Sequence, residues 1–170
     1  MEVESWEHYR ARLGLPDDEP VLEFYRQVVY DHFDHFNLHY PKFSLRSYDF
    51  SLEHMSARDA YDRIKFFNNK PMEMWDKQYD WFKRENHEYM IFQRMARDLT
   101  PPFPPILIES SLLVDEGWRI YGRDLHLIEG THRVGYLRRM LELGEIADES
   151  THKFVVLRPA ASAGEPRFSR

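Results

Sequence analysis

Glu129, Gly130, Thr131, His132 and Arg133 stand consecutively in this 170-residue chain, and no other stretch gathers so many charged groups on one presenting turn. The apolar residues Leu125, Leu127 and Ile128 before them read as a buried strand, and the residues after them as the start of a helix. The first N–H groups of a helix have no partners within it, and the helix dipole places partial positive charge there. An imidazole and a guanidinium beside such a start suit a phosphate or another anion. In this reading Gly130 lets the backbone approach the ligand, Thr131 donates a hydroxyl, and His132 and Arg133 neutralise phosphate charge. Glu129 offers a carboxylate to bind Mg2+ or to take a proton, which makes it the candidate catalytic residue. The competing account is local architecture, with Glu129 capping the helix or pairing with Arg133 and Gly130 merely closing the turn.

Other candidates are weaker. His32, His35 and His39 would face one way on a continuous helix and could then hold a divalent ion. Pro41 threatens that helix where His39 must contribute, and histidines bordering an apolar stripe are the plainer account. The aromatic residues between Trp75 and Phe92 could stack nucleic-acid bases, but Glu73, Asp76, Asp80, Glu85 and Glu88 offset the nearby Lys77, Lys83 and Arg84, so packing explains them better. Ser110 and Ser111 sit in no nucleophile elbow, and Arg138 and Arg139 read as a solvated face.

Acidic residues outnumber basic ones, 29 to 23, and the resulting charge of −6 argues against a protein that works by coating nucleic acid. The absence of cysteine excludes disulfides, thiolate metal sites and cysteine nucleophiles. No signal segment and no apolar run of membrane-spanning length is visible, so a soluble, cytoplasmic protein is expected.

Leu22, Tyr25, Val29, Phe33 and Phe36 recur at helical spacing, which predicts one helix from residue 21 to about residue 38. Ser56, with Asp59 three residues on, reads as the N-cap of a helix through residue 67. A turn at residues 68–71 leads into a further helical stretch carrying Trp75, Tyr79 and Phe82 inward, with a break near Asn86, to Leu99. Residues 43–50 fit a strand or a loop equally well. Four prolines within residues 100–105 mark a boundary, since neither a helix interior nor a central strand admits them. Beyond it, strands are expected at residues 106–108, 118–121 and 125–128, with a hairpin turn at residues 122–124. A helix over residues 131–143 should end at Gly144, and a last strand should cover residues 153–157.

The order strand, Glu-Gly-Thr-His-Arg, helix, strand resembles the ParB/sulfiredoxin-like superfamily, whose members carry a Gly-x-His-Arg or similar motif at a helix start that holds nucleotide phosphates. The match covers residues 104–158; Gly130, His132 and Arg133 fall on the motif, and Glu129 occupies a position often acidic in the relatives. The resemblance implies a small mixed sheet with the motif helix beside it. The expected architecture is therefore α+β, a helical N-terminal part (residues 1–99) packed on a ParB/sulfiredoxin-like unit (residues 100–158) with a flexible tail (residues 159–170), the two parts sharing one core. The implied ligands are ATP or CTP with Mg2+. Thr131 stands where sulfiredoxins place their reactive cysteine, which excludes sulfinic acid reduction. Chromosome-partitioning members continue into a helix-turn-helix domain, for which almost no chain remains after Val156. Some relatives phosphorylate a free amino acid with an upstream glutamate as base, and Glu109 and Glu116 are the candidates here.

Two classes of function follow. One is a nucleotide-binding protein, a phosphotransferase or hydrolase acting at the turn of residues 130–133. The other is an acidic module, such as an immunity protein or antitoxin with a degenerate nucleotide site, that binds a basic protein partner through its charge.

Overall fold

A computed structural model of the protein describes residues 4–40, 43–44, 47–66, 69–114 and 124–160. The fold is α+β: helices cover both faces of a five-stranded mixed sheet of order β1-β5-β3-β4-β2. The strands are β1 (Tyr48–Ser56), β2 (Ile64–Lys65), β3 (Ile106–Glu109), β4 (Leu125–Glu129) and β5 (Thr151–Pro159). β5 pairs antiparallel with β1 and parallel with β3, β3 pairs antiparallel with β4, and β4 pairs parallel with β2.

The central strands are short apolar runs because both of their faces are buried. Leu107, Leu125, Leu127, Phe154 and Val156 face one core, which is closed by α4 (Ala57–Arg63), α5 (Asn69–Glu85), α6 (Met90–Asp98) and, beyond the short α7 (Ser111–Val114), α8 (Thr131–Glu142). Their neighbours Ile106, Ile108, Ile128, Val155 and Leu157 face the other, which is filled by Phe24, Val28 and Tyr40. The two edge strands, β1 and β2, come from the chain before the proline run. Residues on both sides of that run therefore build one sheet.

The helix expected from residue 21 is three pieces. α2 (Glu19–Phe24) has Pro20 in its first turn and passes directly into a π-helical stretch, Tyr25–Tyr30, where Asp31 N donates to Arg26 O at 3.0 Å. An i→i+5 bond rotates the buried face, so Gln27 and Val28 are inside although the apolar spacing of three and four favoured their neighbours. The chain bends at Asp31–His32 and resumes as α3 (Phe33–His39). His32 is thus a cap residue, with only His35 and His39 on the helix, their rings 4.5 Å apart. Among the described residues no group of three or more acidic or histidine side chains could hold a metal ion.

Ser56 caps α4 by accepting from Asp59 N at 3.0 Å, but the helix ends at Arg63. Ile64 and Lys65 leave it to pair with Leu125 and His126, a long-range claim that overrides local periodicity. Asn86 breaks the next helical stretch with φ 48°, and Leu99 closes α6 with φ 55°. Residues 43–50 resolve in part into β1, which runs on to Ser56 because β5 offers it nine consecutive partners. The helix expected over residues 131–143 forms as α8, with Gly144 at φ 69° behind it. The strand expected at residues 118–121, most of the hairpin turn after it and the tail beyond Ala160 lie outside the described residues. No helix among the described residues is long and apolar enough to cross a membrane.

α8 lies tightly on α5 because Gly135 has no side chain at the crossing. A Cβ placed there would stand 2.7 Å from the Cβ of Trp75. Gly135→Ala should therefore force the two helices apart and destabilise the protein by about 1–3 kcal/mol, read as a lower urea midpoint. An unchanged midpoint would show that this crossing tolerates a methyl group and is not tightly packed.

Candidate functional site

β4 delivers Glu129 to the end of the sheet, Gly130 turns the chain, and α8 begins at Thr131. Gly130 adopts φ 108° and is the N-cap of α8 with no side-chain cap. Its lack of a Cβ is needed twice: the conformation is left-handed, and a Cβ would lie 3.0 Å from both Pro105 Cβ and Arg133 Nη2. Val134 N already takes the Gly130 carbonyl, and the amides of Thr131, His132 and Arg133 find no acceptor among the described residues. They are the unsatisfied donors of a twelve-residue helix, and the turn opens on a cleft of about 420 Å³.

Arg133 folds back instead of reaching outward. It is 6% exposed, its Nη1 donates to Gln27 Oε1 and to the Phe103 carbonyl at 3.2 Å, and its Nη2 donates to Glu129 Oε1 at 3.3 Å. The i,i+4 spacing of Glu129 and Arg133 across the helix start makes that last contact. Gln27 is held in turn, its Nε2 donating to Glu23 Oε2 at 2.7 Å and to the Pro104 carbonyl at 3.1 Å. The guanidinium thus joins the π-helical stretch, the proline run and the Gly130 turn. It supplies positive potential beside the turn, while most of its donors are committed internally.

His132 is half-buried against Trp75, ring centroids 3.9 Å apart, with Tyr89 at 5.3 Å and Tyr136 at 5.9 Å. Burial, and then the Arg133 charge beside it, hold its pKa below the ordinary histidine value, so the ring is neutral at pH 7. Thr131 is half-buried at the first helical position. Glu129 keeps a quarter of its side chain exposed at the cleft edge. The structure therefore brings Glu129, Gly130, His132 and Arg133 to one cleft, leaves Thr131 out of its lining, and gives them unequal roles: Glu129 keeps part of its carboxylate exposed at the cleft, and Arg133 braces the turn.

The rest of the lining comes from elements the motif did not point to. Trp6 of α1 (Trp6–Leu13), Tyr30, Tyr89, Met90 and Phe103 give the cleft aromatic and apolar surface, and Arg26 adds a cation stacked 4.3 Å from the Phe103 ring centre. Gln27 carried no sequence signal, being one polar residue within an amphipathic stretch. Glu109 is not brought here. It pairs with Leu125 at the far end of β4, whereas Ile106 is the residue opposite Glu129. Glu116 lies outside the described residues.

No family model, curated protein or solved structure matches this chain.

Proposed function

We propose that the protein binds a phosphorylated ligand of the nucleotide class, with a phosphate on the amides of residues 131–133 and the ring system against the aromatic lining of the cleft. The observation that carries this reading is the start of α8: three amides without acceptors among the described residues follow a left-handed glycine, and Gly130, His132 and Arg133 of this turn line a cleft large enough for such a ligand. Arg26 and Arg133 lend positive charge, and Tyr89 or Trp6 offers a face for a base. Where the ligand is ATP or CTP, Glu129 and the phosphates together suit Mg2+, which is commonly held by one or two carboxylates plus phosphate oxygens. In an enzyme of this kind Glu129 is the catalytic candidate, and Glu129→Gln should abolish turnover while sparing the phosphate contact at the amides of residues 131–133.

A thermal-shift panel with ATP, CTP and GTP, with and without Mg2+, tests the reading. A ligand at a hundred times its Kd adds about 2.7 kcal/mol to native stability, a rise of several degrees for a domain of this size. No rise with any of them would favour the acidic protein-binding module, which draws on the −6 charge and on Phe33 and Leu38, 53% and 76% exposed on α3.

A further inference from the structure

His32 and Glu129 both line the cleft, and both also line a second, small cavity of about 20 Å³. Its Nδ1 lies 2.7 Å from the Gln27 carbonyl oxygen. A carbonyl only accepts, so Nδ1 carries the proton and donates. In the neutral ring this leaves Nε2, on the opposite side from Gln27, as a bare acceptor. Nε2 makes no hydrogen bond among the described residues. The bend after the π-helical stretch creates this arrangement: with His32 outside the helix, its side chain takes the carbonyl that a continuing π-helix would give to its backbone N–H.

The same Gln27 fixes Glu129 through its side chain. The Gln27 amide oxygen accepts from Arg133 Nη1, and Arg133 Nη2 holds Glu129 Oε1, leaving Glu129 Oε2 without a hydrogen bond among the described residues. One residue therefore orients two acceptors on one edge of the cleft, next to the phosphate turn.

We infer that this edge reads hydroxyl groups of the ligand: His32 Nε2 and Glu129 Oε2 accept from the hydroxyls of a sugar attached to the phosphate, which makes the ligand class a ribose 5-phosphate unit, free or within a nucleotide. The inference rests on the phosphate reading of the α8 start and adds the identity of what the phosphate is joined to. Hydroxyl donors satisfy both acceptors, whereas a bare phosphate or an alkyl phosphate leaves them facing water.

Calorimetry at pH 8 with inorganic phosphate, ethyl phosphate and ribose 5-phosphate tests it on the full chain. Ribose 5-phosphate should bind at least tenfold more tightly than ethyl phosphate, the value of one to two net hydrogen bonds. His32→Asn should keep the melting temperature, because its side-chain amide still donates to the Gln27 carbonyl, yet lose that tenfold preference. His32→Gln, which extends an amide oxygen toward the Nε2 position, should restore part of it. Equal affinity for ethyl phosphate and ribose 5-phosphate, or a preference intact in His32→Asn, would overturn the hydroxyl reading and leave the phosphate site standing. No binding of any of the three would overturn both.

Discussion

Arg133→Met will lower the unfolding free energy by about 3 kcal/mol, the low end of what breaking a buried charge pair costs, because Glu129 keeps partial access to water. Methionine preserves much of the volume, so the loss reports the hydrogen bonds and not a cavity. Without the guanidinium, the Gln27 amide oxygen and the Phe103 carbonyl lose their donor, and Glu129 loses its counter-charge. Three segments far apart in sequence then separate: the π-helical stretch, the proline run and the Gly130 turn. Urea denaturation reads the stability, and ligand affinity should fall with it because the turn loses its brace. A loss under 1 kcal/mol would mean that Arg133 is an optional surface contact, contrary to its 6% exposure.

Buried His126 will also subtract stability as pH falls from 6.5 to 4, against the opposite contribution of Asp76, whose carboxyl burial pushes up to about 6. His126 on β4 is fully buried, with Nε2 2.9 Å from the Tyr40 hydroxyl, and burial pushes its pKa from the ordinary 6.5 down to about 4. The native state thus holds His126 neutral while the unfolded chain takes up a proton below pH 6.5. At this residue the unfolded state binds more protons across that window, so its contribution to stability is lost as pH falls through it and levels off below about 4. At 1.36 kcal/mol for each unit, the full loss from His126 is about 3 kcal/mol. His132 and His152, also lowered by burial, act in the same direction. His126→Gln removes the titrating group and should make the slope of unfolding free energy against pH less positive in this window. An unchanged slope in a folded His126→Gln protein would assign the acid sensitivity elsewhere.

What could be read from the chain alone follows from the range of the forces involved. The Ser56 cap, the α8 span ending before Gly144, the break at Asn86 and the apolar cores of β3, β4 and β5 are set by residues within a few positions of one another, and all were legible. The π-helical stretch was not, since an i→i+5 bond leaves no periodicity distinct from a helix with one polar residue misplaced. Nor was the departure of Ile64 and Lys65 from α4, which depends on pairing with β4 some sixty residues later. The site divides in the same way. The place of the Gly130 turn at a strand-to-helix junction was visible, because glycine and the flanking apolar runs are local. The inward aim of Arg133 was not, because its principal partner, Gln27, lies 106 residues away. Charge beside a helix start suggests a gripping side chain; whether it grips a ligand or the protein is decided by tertiary neighbours.

The central claim is that a phosphate rests on the first turn of α8. Titration of the 15N-labelled protein with Mg2+-ATP and Mg2+-CTP tests it most directly, since amide shifts report both affinity and place. The account predicts that the amides of Thr131, His132 and Arg133 move together and saturate with at least one of these ligands, with Glu129 and Gly130 beside them responding. Saturation of shifts on another surface, with these three amides unmoved, or a spectrum unchanged at millimolar ligand, would contradict it.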